Sequence, residues 1–214
     1  SILKNGTIRK NTSVLNDCYG QNVLEFNGAK SLFISGLYGV YQYEGNDQAK
    51  LISQGGPYQV AKWSGDSTSL YIINYDGLQK LKYSKGVFQE VGYIKNFSEG
   101  EPYNFVIEDD GTIWIGTKPD DGVYKTHVDI FDNPKIGFER LYTASGIPLG
   151  PCYLTKINNE IFLGTENGLL KYSKSDLNFH LFNDFAFNFS NEKVSVHRVN
   201  QDPFGNIWMV LYFN

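Results

Sequence analysis

Residues 107–125 read IEDDGTIWIGTKPDDGVYK. Asp110-Gly111 and Asp121-Gly122 are hairpin-turn dipeptides, because both Asp and Gly tolerate the positive φ such turns need. Between them Thr112–Thr117 is rich in β-branched residues around Trp114, which predicts a strand. The stretch therefore reads as a strand end, a tight turn, an aromatic-centred strand, a second turn closed by Gly122, and a third strand from Val123.

The same pattern recurs along the chain. SLFISGLYGVYQYE (31–44) carries Phe33 and Gly39, and SLYIINYDGLQKLKYS (69–84) carries Tyr71 and Gly77. EIFLGTENGLLKYS (160–173) carries Phe162 and Gly168, and NIWMVLYFN (206–214) carries Trp208. The aromatic-to-glycine gap is 6, 6, 8 and 6 residues, and the aromatics are 38, 43, 48 and 46 residues apart. A period of this size with several short strands per unit marks a β-propeller blade.

Each unit reads as four strands. Inner strands fall at 22–26, 58–63, 103–107, 153–157 and 195–199, each followed by the aromatic strand. Third strands follow the glycine, and outer strands fall at 50–54, 88–94, 138–144 and 179–185. The fold predicted is all-β: one propeller domain, 1–214, with blades near 14–55, 56–95, 96–145 and 146–186, and a fifth from 187–214 plus 1–13. In that scheme residues 2–6 and 7–13 supply the third and outer strands of the last blade and close the ring, which removes open sheet edges. Phe33, Tyr71, Trp114, Phe162 and Trp208 are expected in the core between blades.

Composition agrees. Aromatics make up 15% of the chain, with 15 Tyr and 15 Phe, against 7 Pro and 1 Met among 22 Gly. The net charge of −4 and the lack of a Lys/Arg cluster argue against a nucleic-acid partner. No apolar run is long enough to insert in a membrane. Cys18 and Cys152 have no C-x-x-C spacing, so they read as two buried thiols or as one disulfide.

GIPLGPCYLTKINNEIFLGTENGLLKY (146–172) and YNFVIEDDGTIWIGTKPDDGVYK (103–125) resemble the two-component regulator propeller repeat. Gly146-Ile147-Pro148, Asp110-Gly111, Ile113-Trp114-Ile115-Gly116-Thr117 and Gly122-Val123-Tyr124 carry the likeness. The last unit keeps Asp202 and Gly205-Asn206-Ile207-Trp208 but not the Gly-Thr. The resemblance implies an extracytoplasmic sensor propeller of a bacterial hybrid two-component system. It further implies a periplasmic or extracellular location, a small-molecule or oligosaccharide ligand, and other segments of a larger signalling protein as partners. The repeat transfers no catalytic residue.

No catalytic constellation stands out, and no metal or cofactor is implied. His127, His180 and His197 have no ligand spacing; His127 and His180 fall in outer-strand regions and read as surface residues. Arg9, Arg140 and Arg198 sit in different strand types, which argues against a sialidase-like arginine cluster. A recognition module is therefore favoured over a docking scaffold, and both over a propeller-type glycoside hydrolase or lyase. One feature marks a binding face. Pro57-Tyr58, Pro102-Tyr103 and Cys152-Tyr153 each open an inner strand, which places three phenols at one height near one mouth of the channel. Tyr58, Tyr103, Tyr153, His197 and Arg198 are the ligand-binding candidates.

Overall fold

The computed structural model describes residues 2–4, 7–9, 18–26, 29–45, 48–118, 122–183, 194–202 and 204–213. The alternating apolar runs form antiparallel meanders in sequence order. A short hairpin comes first, β1 (Ile2–Lys4) and β2 (Thr7–Arg9). Four four-stranded sheets follow. The first comprises β3 (Cys18–Phe26), β4 (Ala29–Gly36), β5 (Gly39–Gly45) and β6 (Gln48–Gln54). The second comprises β7 (Pro57–Ala61), β8 (Ser69–Asn74), β9 (Gly77–Ser84) and β10 (Val87–Lys95). The third comprises β11 (Glu101–Ile107), β12 (Thr112–Lys118), β13 (Val123–His127) and β14 (Glu139–Leu141). The fourth comprises β15 (Tyr153–Ile157), β16 (Glu160–Thr165), β17 (Gly168–Ser173) and β18 (Asn178–Leu181). A last hairpin pairs β19 (Val194–Gln201) with β20 (Ile207–Phe213).

The first strands of successive sheets, β3, β7, β11, β15 and β19, neighbour one another in series. An apolar layer separates each pair of sheets. Phe33, Val60 and Ile72 fill the first layer; Tyr71, Phe105 and Ile115 the second; Trp114, Leu154 and Leu163 the third; Phe162, Val194 and Val196 the fourth. The architecture is β-propeller-like: antiparallel sheets stacked face to face, their innermost strands side by side.

The repeated motif residues have structural tasks. A Cβ on Gly116 or Gly164 would collide with the backbone carbonyl of Cys152 or Val196, so these glycines let the next sheet's inner strand approach. Thr117 Oγ1 and Thr165 Oγ1 donate to the carbonyls of Gly122 and Gly168, 2.8 and 2.9 Å away, and clip the following turn. Gly122 has φ +85°, as its turn requires.

Phe33, Tyr71, Trp114 and Phe162 are buried in the core as expected. Trp208 is not: it is 64% exposed. Trp114 is covered by Tyr172 and Phe179 of the following sheet, with ring centroids 4.6 and 6.1 Å away. Trp208 belongs to the last sheet, and among the described residues no further sheet lies over it. The two terminal hairpins form separate two-stranded sheets, and β20 pairs with β19 but not with β1 among the described residues. Of the predicted outer strand 7–13, only 7–9 lies within the described residues. Cys152 is buried and its thiol donates to the Gly150 carbonyl at 3.6 Å, while the Cys18 side chain lies outside the described residues.

Candidate functional site

The inner strands share an irregularity that builds the site. The pairing of β7 with β8 slips between Pro57 and Gln59, that of β11 with β12 between Pro102 and Asn104, and that of β19 with β20 between Val196 and Arg198. The extra residues are Tyr58, Tyr103 and His197. A β-bulge bends its strand and re-aims one side chain. Here it turns an aromatic ring out of the blade stack at the same level of each strand. Strand β3 slips at the equivalent place, between Cys18 and Gly20. Strand β15 keeps regular pairing, with Tyr153 opposite Gly164, and presents Tyr153 without a bulge.

The rings converge into an arc. Tyr58 and Tyr103 have centroids 5.3 Å apart, and Tyr103 and Tyr153 5.6 Å. His197 stacks on Tyr153 at 5.0 Å and 28°, and its ring lies 4.3 Å from that of Tyr212, tilted by 48°. Lys118 Nζ sits 3.4 Å from the centre of the Tyr103 ring, within cation–π range. The arc borders a cavity of about 500 Å³ lined by residues of β3, β7, β11, β15 and β19. Tyr58, Tyr103, Tyr153, His197 and Arg198 all line it, so the five candidates come together.

Polar side chains floor the cavity and tie its wall. Gln59 Oε1 accepts from the Phe105 amide at 3.0 Å, and Asn104 Nδ2 donates to the Leu154 carbonyl at 2.8 Å. Each bond crosses from one inner strand to the next. Asn104 Oδ1 is buried with no hydrogen-bond partner. Burial raises the Tyr153 pKa, reinforced by the neighbouring Tyr103, so this phenol stays neutral and keeps a donor at neutral pH.

The opposite, turn end of the blades carries a second device. Trp114 Nε1 donates to Glu108 Oε2 at 2.7 Å, and Lys174 Nζ reaches Glu108 Oε1 at 2.8 Å. Trp208 Nε1 donates likewise to Asp202 Oδ2 at 3.1 Å. In both cases the carboxylate lies six residues before the indole across a hairpin turn. Asp110 and Asp202 also accept the amides of Thr112 and Asn206 at 2.9 Å. These acids are spent on turns.

The remaining histidines stay outside the arc. His180 is exposed on the outermost strand β18 and pairs with Asp176 at 2.7 Å, as a surface residue. His127 differs from expectation. It ends the third strand β13 rather than lying in an outer one, and its Nδ1 accepts from the Asp129 amide at 3.2 Å. It caps a single 3-10 turn at Val128–Phe131. Arg140 and Arg198 lie on an outermost and an innermost strand, β14 and β19, and do not converge. Among the described residues no group of three or more His, Cys, Asp or Glu is placed to hold a metal ion, and no helix is long and apolar enough to cross a membrane.

Lys118, Tyr212, Gln59 and Asn104 were not among the sequence candidates. Lys118 and Tyr212 reach the mouth from second strands, where no local signal sets them apart. The Cys18-Tyr19 pair repeats the Cys152-Tyr153 pattern and marks the β3 bulge, so its position was readable in the sequence.

No family model matches the chain, and no curated protein does. Solved structures do. Two are of the extracellular domain of BT4673 from B. thetaiotaomicron, assigned to a one-component system in one and to a hybrid two-component system in the other. Each is 18% identical to the chain, with TM-scores of 0.64 and 0.65 over 94% and 90% of it. The fold is shared with an extracellular signalling domain. The chain spans about a quarter of that domain, 26% and 25% in the two structures. A luciferin-regenerating enzyme also matches, 10% identical, with a TM-score of 0.59 over 90% of this chain and 68% of its own. At such identities the likeness speaks for the fold alone, and the fold serves both signalling domains and enzymes.

Proposed function

We propose that this chain is a non-enzymatic recognition propeller that seats a small-molecule ligand, an oligosaccharide, at the mouth of its central cavity. The observation that carries the reading is the bulge repeated at one level of the inner strands, with Tyr58, Tyr103 and His197 as the bulged residues. A device that disturbs sheet pairing in the same place on several blades, and each time delivers a ring to one cavity, has a use beyond packing. Tyrosines offer a flat apolar face and a hydroxyl, which suits a sugar ring. The shared fold with BT4673 supports placing the module in the sensor region of a bacterial two-component regulator, outside the cytoplasm, with other segments of the protein reading the bound state.

In this reading the ring has five blades within a single domain, and β1–β2 supplies the outer half of the fifth. Two observations favour it. The β1–β2 hairpin has the antiparallel pairing of a third and fourth strand, and β19–β20 stops at the first two. A docking scaffold is the second reading, favoured by Tyr38, Tyr75 and Leu149, which are exposed in loops at the same end of the blades as the mouth.

A thermal-shift screen against oligosaccharides, on wild type and Tyr103→Ala, tests the proposal. A ligand at a hundredfold its Kd adds about 2.7 kcal/mol, a rise of roughly 5–10 °C for a domain of this size. A rise abolished in Tyr103→Ala supports the site. A rise kept in the variant moves the ligand elsewhere, and silence across the panel favours the scaffold.

A further inference from the structure

If the mouth seats a sugar, as proposed above, the charges around it select which sugar. Among the described residues lining the cavity, Arg198 is the one with a permanent charge, and no carboxylate lines it. Arg198 follows the bulged His197, is exposed, and has no ion-pair partner among the described residues. The second cation at the mouth is Lys118, placed over the Tyr103 ring rather than against an acid. Glu166, outside the lining, also bears on Tyr153, so the local field is not purely positive.

The cations of a second cavity behave differently. That cavity, against the fourth sheet, is also about 500 Å³. Each of its two lysines is already matched, Lys171 with Glu160 at 2.8 Å and Lys174 with Glu108 at 2.8 Å, and its His180 lies 2.7 Å from Asp176. Neutralised cations support a wall. An unmatched guanidinium at the edge of a cavity with neutral walls draws an anion, and its planar fork suits a carboxylate in two parallel hydrogen bonds.

Gln59 and Asn104 follow their bulged tyrosines as Arg198 follows His197, and both spend their side chains on the next inner strand. In the same place on β19, Arg198 makes no such bond among the described residues. The position that ties the wall elsewhere is here a charge presented to the cavity.

We propose that the mouth takes an acidic sugar, a hexuronate, with its carboxylate on the Arg198 guanidinium and its ring against the tyrosine arc. The inference rests on the recognition reading and narrows its ligand class.

Isothermal calorimetry of this chain with trigalacturonate and with neutral galactotriose tests it. The acid is expected to bind at least about tenfold more tightly, the effect of one charge-assisted contact. The preference shrinks as salt rises. Arg198→Gln is expected to weaken the acid far more than the neutral sugar, so that the preference is lost, and Arg198→Lys keeps part of it. Two results overturn the inference while sparing the recognition reading. One is equal binding of both sugars that is lost in Tyr103→Ala. The other is an Arg198→Gln variant that weakens both sugars equally and melts earlier, which assigns Arg198 to the wall. Binding of neither sugar, with neutral glycans of other linkage bound in a Tyr103-dependent way, also overturns it. Failure of every glycan overturns both.

Discussion

Trp114 and Trp208 occupy the same place in the repeat, and their surroundings differ. Each sits in the second strand of its sheet, and each donates its indole N–H to a carboxylate six residues earlier. Trp114 is fully buried; Trp208 is 64% exposed. The carboxylates follow suit: Glu108 is buried and also holds Lys174, whereas among the described residues Asp202 accepts bonds only within its own hairpin, from Phe204, Asn206 and Trp208. The hairpin device forms wherever its local sequence occurs. Burial depends on a following sheet, and the third sheet has one. The same chemistry is thus part of the core in one place and a surface turn in another.

The largest effect should come from breaking the indoles themselves. Trp114→Ala is expected to cost about 3–5 kcal/mol, from lost burial plus the cavity left behind. Trp208→Ala should stay below about 1 kcal/mol, because an exposed side chain has little burial to lose. Urea denaturation of both variants measures the gap. The small loss is what the arrangement of the described residues gives; comparable losses would mean that a following blade covers Trp208 in solution, as the closed ring proposed above requires.

The carboxylates sharpen the comparison. Glu108→Ala strands the buried Trp114 N–H and frees Lys174, at a cost of roughly 1–3 kcal/mol. Asp202→Ala should move the denaturation midpoint less, since water replaces each bond it loses. A larger loss at Asp202 than at Glu108 would refute the ordering.

The smallest effect is a pH dependence in the second sheet. Burial of Asp66 works against ionisation, but hydrogen bonds from Ser69 and Thr68 outweigh it and hold the carboxyl at about 2. A lowered folded-state pKa stabilises above the unfolded value near 3.8 and loses that stabilisation as pH falls toward about 2. Wild type should therefore weaken between about pH 4 and 2, by on the order of 1 kcal/mol once solvent screening is allowed for. Asp66→Asn should be less stable at pH 7 and flatter across that window. Thermal melts from pH 7 to 2 decide it; parallel curves for the two proteins would remove Asp66 from the acid response.

Much of the molecule is legible in its sequence, for a local reason. The strands, the Asp-Gly turns, Gly122 and the Gly-Thr clip after Trp114 depend on neighbours a few residues away, so their pattern predicts them. The pairing order within each four-stranded sheet follows the chain, because short turns leave a strand little choice but its predecessor. The site is legible in part for the same reason: Pro57-Tyr58, Pro102-Tyr103 and Cys152-Tyr153 open equivalent strands, and equivalence alone places them at one height. What only the tertiary structure decided involves contact between sheets. It set the exposure of Trp208, the convergence of Tyr58, Tyr103 and Tyr153 from three sheets, and the stacking of His197 on Tyr153. The glycines show the division most plainly. A turn glycine such as Gly205, at φ +87° with open space where a Cβ would sit, answers to its own backbone torsion. Gly116 answers to the carbonyl of Cys152, 36 residues on, and only the packed sheets bring that atom near.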